Sequence, residues 1–345
     1  MDPTRHRLVW WVLGPLAGLL AVLIVVGTSL GSVSVPLGDT ATILLSKLGL
    51  RVGAIDPKWD SIIFLVRLPR VLGAALIGAA LAVSGAVMQG LLRNPMADPG
   101  IIGVSAGAGF GAVSAIAFGL TVQGPWFLPL FASVGSLAAT GVIFLLSIRR
   151  GDMGLFTLLL AGLAVGTFFA AGTSLVLTFA SRDNVAQFIF WAMGNLSGIR
   201  WESLGLVIVP IALGLALLLL FGRELNVLLL GEEEARSVGL NVFAVRVGLL
   251  VLVSVTTASA VCISGPIGFI GLIVPHVLRL LLGPDHRLLL PASALGGACF
   301  LVACDLVARL ALPSQEVNVG IVTALLGAPY FLFVLRRSER RETGL

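Results

Sequence analysis

Charge is scarce in this sequence. Of its 345 residues only 11% are charged, against about a quarter in an ordinary soluble domain. Lysine occurs twice, as Lys47 and Lys58, and the remaining basic residues are arginine. Neither lysine completes the Gly-Lys-Ser/Thr of a phosphate-binding loop, because Lys47 follows Ser46 and Lys58 follows Pro57. That argues against ATP hydrolysis by this chain. Cys262, Cys299 and Cys304 stand in apolar segments with no CxxC pair, so neither a disulfide framework nor a metal cluster is indicated. The three histidines, His6, His276 and His286, offer no evident triad. Nor does the sequence carry the run of intramembrane acids and histidines that a proton-driven carrier uses.

What is abundant is apolar sequence. Hydrophobic residues make up 58% of the chain and the mean hydropathy is +1.07. Repeated apolar runs of about 20 residues suit helices crossing a hydrocarbon core about 30 Å thick. The fold class expected is all-α and polytopic in a membrane. Ten spans are placed at about 8–28, 61–91, 100–120, 126–148, 154–180, 202–222, 243–263, 266–282, 288–312 and 317–335. The mixed segment Pro36–Asp60 is expected to lie as a short helix and loop on one surface. No loop leaves room for a soluble domain, so residues 1–345 are read as one membrane domain. Arg5 and Arg7 precede the first run, which exceeds the roughly 7–15 residues of a signal-peptide core, and it is read as a retained helix.

Orientation follows from lysine and arginine in the loops. With the N-terminus inside, 14 fall on the cytoplasmic side and 8 on the outer side. Both termini are therefore expected in the cytoplasm. Arg93, Arg223, Arg236, Arg246 and the C-terminal arginines lie inside, whereas Arg67, Arg70, Arg182, Arg200 and Arg309 lie outside. The net charge of +5 is accounted for by these loops, and nucleic acid is not an expected partner.

The stretch "SGAVMQGLLRNPMADPGIIGVSAGAGFGAV" interrupts apolar sequence with a polar turn. Asp98 can cap the following helix and Pro99 suits its first turn. Gly103, Gly107 and Gly111 recur every fourth residue, a small-xxx-small face that admits another helix backbone in lipid. Gly103–Gly107 also fits a GxSxG nucleophile elbow, and residues 107–112 fit GxGxxA. Both motifs need a preceding strand, and the context here is a membrane helix. A hydrolase using Ser105 is a minor reading, as is an ion-coupled secondary transporter with broken helices at Gly265-Pro266 and Pro275.

The most hydrophilic loop, "GRELNVLLLGEEEARSVGLNVFAVR", is expected inside as two short helices divided near Gly231 and ended near Gly239. It is either a solvated loop or a docking element with Leu228, Leu229 and Leu230 as apolar contacts. Asp305 and Arg309, four apart, are expected to pair on one helix face. Arg67 and Arg70, in "RLPR", have interfacial anchoring as their plainest role.

Four segments together resemble a known family. They are "RLPRVLGAALIGAALAVSGAVMQGLLRNPMADPGIIGVSAGAG", "LLLGEEEARSVGLNVFAVR", "GPIGFIGLIVPHVLRLLLGPDHRLLLP" and "CDLVARLALPSQEVNVGIVTALLGAPYFLFVL". In this order they resemble the permease subunits of ABC importers for iron-siderophores, haem and vitamin B12, and the likeness spans essentially the whole chain. The resemblance implies a transport subunit with no chemistry of its own in a prokaryotic cytoplasmic membrane. It implies a second permease subunit, identical or related, with the pathway at their interface. Two cytoplasmic ATPase subunits, which bind the ATP and Mg, and an extracytoplasmic substrate-binding protein complete the assembly. This chain is expected to hold no cofactor and no metal.

The resemblance also assigns residues. Asn94, Pro95 and Met96 fall where such permeases narrow the cytoplasmic end of the pathway. Gly231, Glu232, Glu233, Ala235, Arg236 and Gly239 match the loop that couples to the ATPase, and Glu233, Ala235 and Gly239 are similar to the EAA-x3-G loop of other ABC importers. Arg67 and Arg309 match arginines that meet glutamates of the binding protein. One position departs from the pattern. Haem and vitamin B12 permeases tend to carry an arginine where this chain has Ala186, with Arg182 one helical turn earlier, and the departure favours a ferric siderophore as cargo.

Overall fold

The computed structural model describes residues 3–31, 33–47, 49–50, 53, 55–149, 152–312 and 315–342. Of the cations counted for orientation, Arg51 and Arg150 lie outside the described residues, as do the side chains of Arg5, Arg7, Arg149, Arg336, Arg337, Arg340 and Arg341. The chain is almost entirely helical. α1 (Pro3–Ser29) leads to two short helices, α2 (Leu37–Lys47) and α3 (Pro57–Ser61). A π-helical stretch, Ile62–Arg67, then runs directly into α4 (Leu68–Leu91). A polar turn and the 3-10 turn Pro99–Ile102 precede α5 (Val104–Ala117), α6 (Leu120–Gln123) and α7 (Phe127–Ser147).

Beyond α7, Ile148 pairs with Met153 in a two-residue antiparallel bridge. Then come α8 (Leu155–Phe179), α9 (Arg182–Ala192) and α10 (Trp201–Leu220). The hydrophilic loop forms α11 (Gly222–Leu230) and α12 (Glu232–Ser237). α13 (Val242–Ser264), α14 (Ile270–Leu282), α15 (His286–Leu310) and α16 (Val319–Glu342) complete the chain.

α4 is the axis of the molecule. Apart from Arg70 and Gln89 its residues are apolar or small on every side, and nearly all are buried, as befits a helix surrounded by others. Its 24 residues span about 36 Å, so its two ends lie on opposite sides of the protein. α10, α13, α14 and α15 pack around it. α5, α7 and α8 form an adjoining group.

Lipid offers no hydrophobic drive between helices, so close backbone approach must supply the packing energy. Glycine makes it possible at three crossings. A methyl group at Gly85 of α4 would overlap the Gly271 carbonyl of α14, and one at Gly78 would overlap the Gly297 carbonyl of α15. Between α5 and α7, Gly107 meets Gly135, and Gly111 meets the carbonyl of Phe131. Gly103 also faces α7, against the Ile143 side chain. It stands before α5 in the left-handed region at φ 76°, which glycine adopts without a steric cost.

Two expected spans are shorter in the structure. Among the described residues seven helices are long and apolar enough to cross a membrane, whereas Val104–Ala117 and Ile270–Leu282 are shorter apolar helices. At 14 and 13 residues, α5 and α14 reach about 20 Å, short of a 30 Å core. Each has irregular backbone before it. Asp98 accepts a hydrogen bond from Gly100 N at 2.8 Å, but it caps the 3-10 turn, and Gly103 then restarts the chain as α5. Ahead of α14, Gly265 and Phe269 both take positive φ, at 68° and 69°. The Phe269 ring lies where a Cβ on Gly327 of α16 would stand, so α16 packs against this bulky residue in a conformation L side chains disfavour.

Candidate functional site

At one end of α4 the arginines are embedded in the fold. Arg67 and Arg309 are 7% and 8% exposed. Arg67 Nη1 donates to the carbonyls of Thr28 at 3.1 Å and Ser29 at 2.6 Å, and its Nη2 donates to Val33 O. Arg309 Nη1 donates to Gly27 O at 2.9 Å and Leu30 O at 3.1 Å. The last turn of α1 has carbonyls without intrahelical partners, and its negative dipole end favours cations. The two arginines cap it together.

Asp305 completes this cluster. Its Oδ2 lies 3.1 Å from Arg309 Nε on the same helix, as the four-residue spacing anticipates. Its Oδ1 lies 2.8 Å from Arg70 Nη2, and Arg70 Nη1 continues to Glu316 at 2.7 Å. Arg70 is thus a buried member of an ionic network, where interfacial anchoring was expected. Arg67 and Arg309, expected as docking cations, are likewise engaged within the chain, through carbonyls at the end of α1.

At the opposite end of α4 the chain reverses. Arg93 takes a left-handed φ of 48°, with Arg93 N bonded to Gly90 O at 3.4 Å and Asn94 N to Gln89 O at 3.1 Å. That is a Schellman closure with arginine where glycine is usual. Asn94 Oδ1 then accepts from Met96 N at 2.9 Å, a turn held by its own side chain. Asn94 and Pro95 are exposed and Met96 is half-buried. Beyond them, burial pushes the Asp98 carboxyl above the usual carboxylate range, opposed by the Gly100 hydrogen bond. Asp98, Ser105 and the buried Thr257 share a cavity of about 80 Å³ with Leu81 and Pro266.

The α11–α12 loop lies at this same end. Asn226 of α11 donates to Asp285 at 2.6 Å and accepts from His286 N at 2.8 Å, and His286 Nε2 lies against Gly90 of α4. α12 begins after Gly231, at φ 141°. It closes with Gly239, at φ 84°, through Gly239 N to Arg236 O and Leu240 N to Ala235 O, both 3.0 Å. Ala235 is fully buried, while Glu233, Glu234 and Val238 are exposed. Glu232 pairs with the buried Arg246 of α13 and sits 4.0 Å from Arg236. Leu228, expected as a docking contact, is in the core, leaving Leu229 and Leu230 as the exposed members of its trio.

Sequence reasoning missed α9 as a separate helix, although Ser181 caps it by accepting from Asn184 N at 3.2 Å. The Ser-Arg-Asp-Asn opening is a helix-start signal that could have found it. Arg182 and Ala186 are both exposed on α9, one turn apart.

The comparisons with known proteins cover nearly the whole chain. A family model described as the FecCD transport family matches residues 19–337. The chain is 47% identical over 277 residues to the cobalamin import system permease protein BtuC of Halobacterium salinarum, covering 80% of this chain and 73% of that one. It is 46% identical over 290 residues to the hemin transport system permease protein HmuU of Yersinia pestis, covering 81% and 84%. A solved chain described as an inward-facing, metal-chelate type ABC transporter superposes with a TM-score of 0.83 at 35% identity, covering 94% of this chain and 99% of that one.

Proposed function

The chain belongs to the FecCD transport family and is the multi-pass permease of a type II ABC importer, and from that premise we propose that it carries large metal chelates inward across a prokaryotic cytoplasmic membrane. It does so beside a second permease subunit, identical or related. Two ATPase subunits bind ATP and Mg beneath it, and a substrate-binding protein delivers cargo from outside. Both termini are cytoplasmic in this reading.

The observation that carries the proposal is the placement of the α11–α12 loop. Its exposed face, with Glu233, Glu234 and Val238, lies at the same end of α4 as the Asn94–Met96 turn. A force applied to α12 by an ATPase is therefore delivered beside the proposed gate. The pathway is assigned to the subunit interface. Two cavities among the described residues, beside Asp98 and beside Asp39, measure about 80 and 150 Å³, below the 300–1,000 Å³ of typical ligand sites. α8, by contrast, is apolar throughout yet mostly exposed in the single chain.

The binding-protein role of Arg67 and Arg309 takes a revised form. Acidic groups of the binding protein act on the junction of α1, α4 and α15 that these arginines hold. Among cargoes, a ferric siderophore is favoured by Ala186, which leaves that position without a cation for haem propionates. A second reading, vitamin B12 or haem, is favoured by the cobalamin and hemin permeases at 47% and 46% identity. Uptake of labelled ferric siderophore, haem and cobalamin by the source cell, with and without this chain, tests the proposal. Selective loss of one cargo names it. Unchanged uptake of all three, with no redundant importer present, overturns the cargo class.

A further inference from the structure

α14 contains a defect that another helix repairs. Pro275 has no N–H, so it cannot serve the Gly271 carbonyl four residues back. Gln89 of α4 supplies the missing donor: its Nε2 lies 3.1 Å from Gly271 O and 3.2 Å from Leu272 O. The other half of the same amide faces the opposite way, with Oε1 accepting from Arg279 Nη1 at 2.7 Å. Arg279 follows Pro275 by four residues, so one side chain grips α14 on both sides of its proline. A flipped amide would set oxygen against two carbonyls and nitrogen against a guanidinium, so the chemistry fixes its orientation. Gln89 is 2% exposed, where a lost partner is costly.

Gln89 also closes the polar turn, since its backbone carbonyl holds Asn94 N. One helical turn earlier, Gly85 brings α4 into backbone contact with Gly271, and the same face of Gly271 also lies against Pro99 just beyond the turn. We propose that Gln89 is a positioning residue: its side-chain amide splints the Pro275 break in α14 and ties that helix to the Asn94–Met96 turn. The inference rests on the importer reading for what the turn does, but the splint itself is defined by the hydrogen bonds.

The logic predicts a specific rescue. If Gln89 acts by serving the orphaned Gly271 carbonyl, Pro275→Ala restores a backbone N–H there and makes the side chain dispensable. The complex of this chain with its ATPase subunits and binding protein is reconstituted in proteoliposomes. Labelled hydroxamate siderophore, haemin and cobalamin are offered in parallel, and cargo moved per ATP hydrolysed is measured. Gln89→Leu is expected to lower that ratio by about fivefold or more, the scale of a typical coupling energy. Gln89→Leu/Pro275→Ala is expected to lie within about twofold of Pro275→Ala alone, the signature of a shared partner.

A purely structural role would lower the yield of complex without moving the ratio. An unchanged ratio in Gln89→Leu, or no rescue in the double variant, overturns the inference. If Gln89→Leu fails to assemble, assembly becomes the readout: recovery with Pro275→Ala supports the splint, and no recovery overturns it. Failure of the parent complex to move any of the three cargoes counts against the importer reading. Thermal stability of the purified variants then decides the splint by the same rescue pattern.

Discussion

Arg70 and Asp305 lie 235 positions apart in sequence, yet Arg70 Nε donates to Asp305 Oδ1 at 2.9 Å in a buried site. The pair joins the start of α4 to the end of α15 and holds Arg309 against the last turn of α1. Three helices therefore meet around one carboxylate. Removing the carboxylate takes the shared counter-charge from two buried arginines, leaving Arg70 with the half-exposed Glu316 and Arg309 with neutral carbonyls.

Asp305→Ala is accordingly expected to destabilise the chain by about 3–5 kcal/mol. Thermal unfolding of the detergent-solubilised protein measures this. A midpoint unchanged from the parent would mean that Arg70 and Arg309 find other partners.

Arg67→Glu is expected to lose folded protein even when no binding protein is present, because it sets a carboxylate against the carbonyls of Thr28, Ser29 and Val33. Arg67→Lys keeps the charge but not the fork of donors, so an intermediate stability is expected. Yield and thermal midpoint separate the two. Binding-protein-stimulated ATPase activity is informative only for the variant that folds.

Glycine substitutions divide by location. Gly85→Ala places a methyl group on the Gly271 carbonyl, and Gly107→Ala places one on that of Gly135. Both are expected to lower stability, since neither backbone can yield without separating two helices. Gly109, on the same helix as Gly107, has nothing within 4 Å of an added Cβ. Gly109→Ala is expected to be neutral or to stabilise α5 by up to about 1 kcal/mol. Equal effects at 107 and 109 would contradict the crossing geometry.

Asp98 gives a pH-dependent prediction. Its raised pKa means that the folded protein keeps this proton to a higher pH than the unfolded chain does. The contribution of Asp98 to stability is greatest in acid and falls as pH rises through the folded-state value. Asp98→Asn retains an acceptor for Gly100 N without the charge. It is expected to match or exceed the parent at neutral pH and to lose that advantage as pH is lowered. Thermal midpoints across a pH series measure the crossover.

The exposed face of α12 is tested at Val238, which is 70% exposed. Val238→Asp is expected to leave the thermal midpoint of the isolated chain unchanged while reducing co-purification of the ATPase subunits. Retention of a full complement of ATPase would place the contact elsewhere.

Much of the fold was legible because membrane helices announce themselves through apolar length. The α11–α12 division near Gly231 and the stop near Gly239 were readable too, since both depend on glycine at positive φ. The interruptions were harder. Nothing local marks Phe269 for a left-handed conformation, because α16 packs against it from 58 positions away. The arginine contacts are hidden from the sequence for the same reason. Arg67 read locally as a membrane-anchor residue, but its partners are the end of α1, and Arg70 finds Glu316 at the far end of the chain. Pro275 was visible as a break, whereas its remedy at Gln89 belongs to another helix.

The central claim is that this chain moves a metal chelate only as part of an ATP-driven complex. The most direct measurement is uptake into proteoliposomes holding this chain alone, or with its ATPase subunits and binding protein, with and without ATP and with and without an ion gradient. Accumulation is expected only in the full complex with ATP, whatever the ion gradient. Gradient-driven uptake by the chain alone, indifferent to ATP, would contradict it.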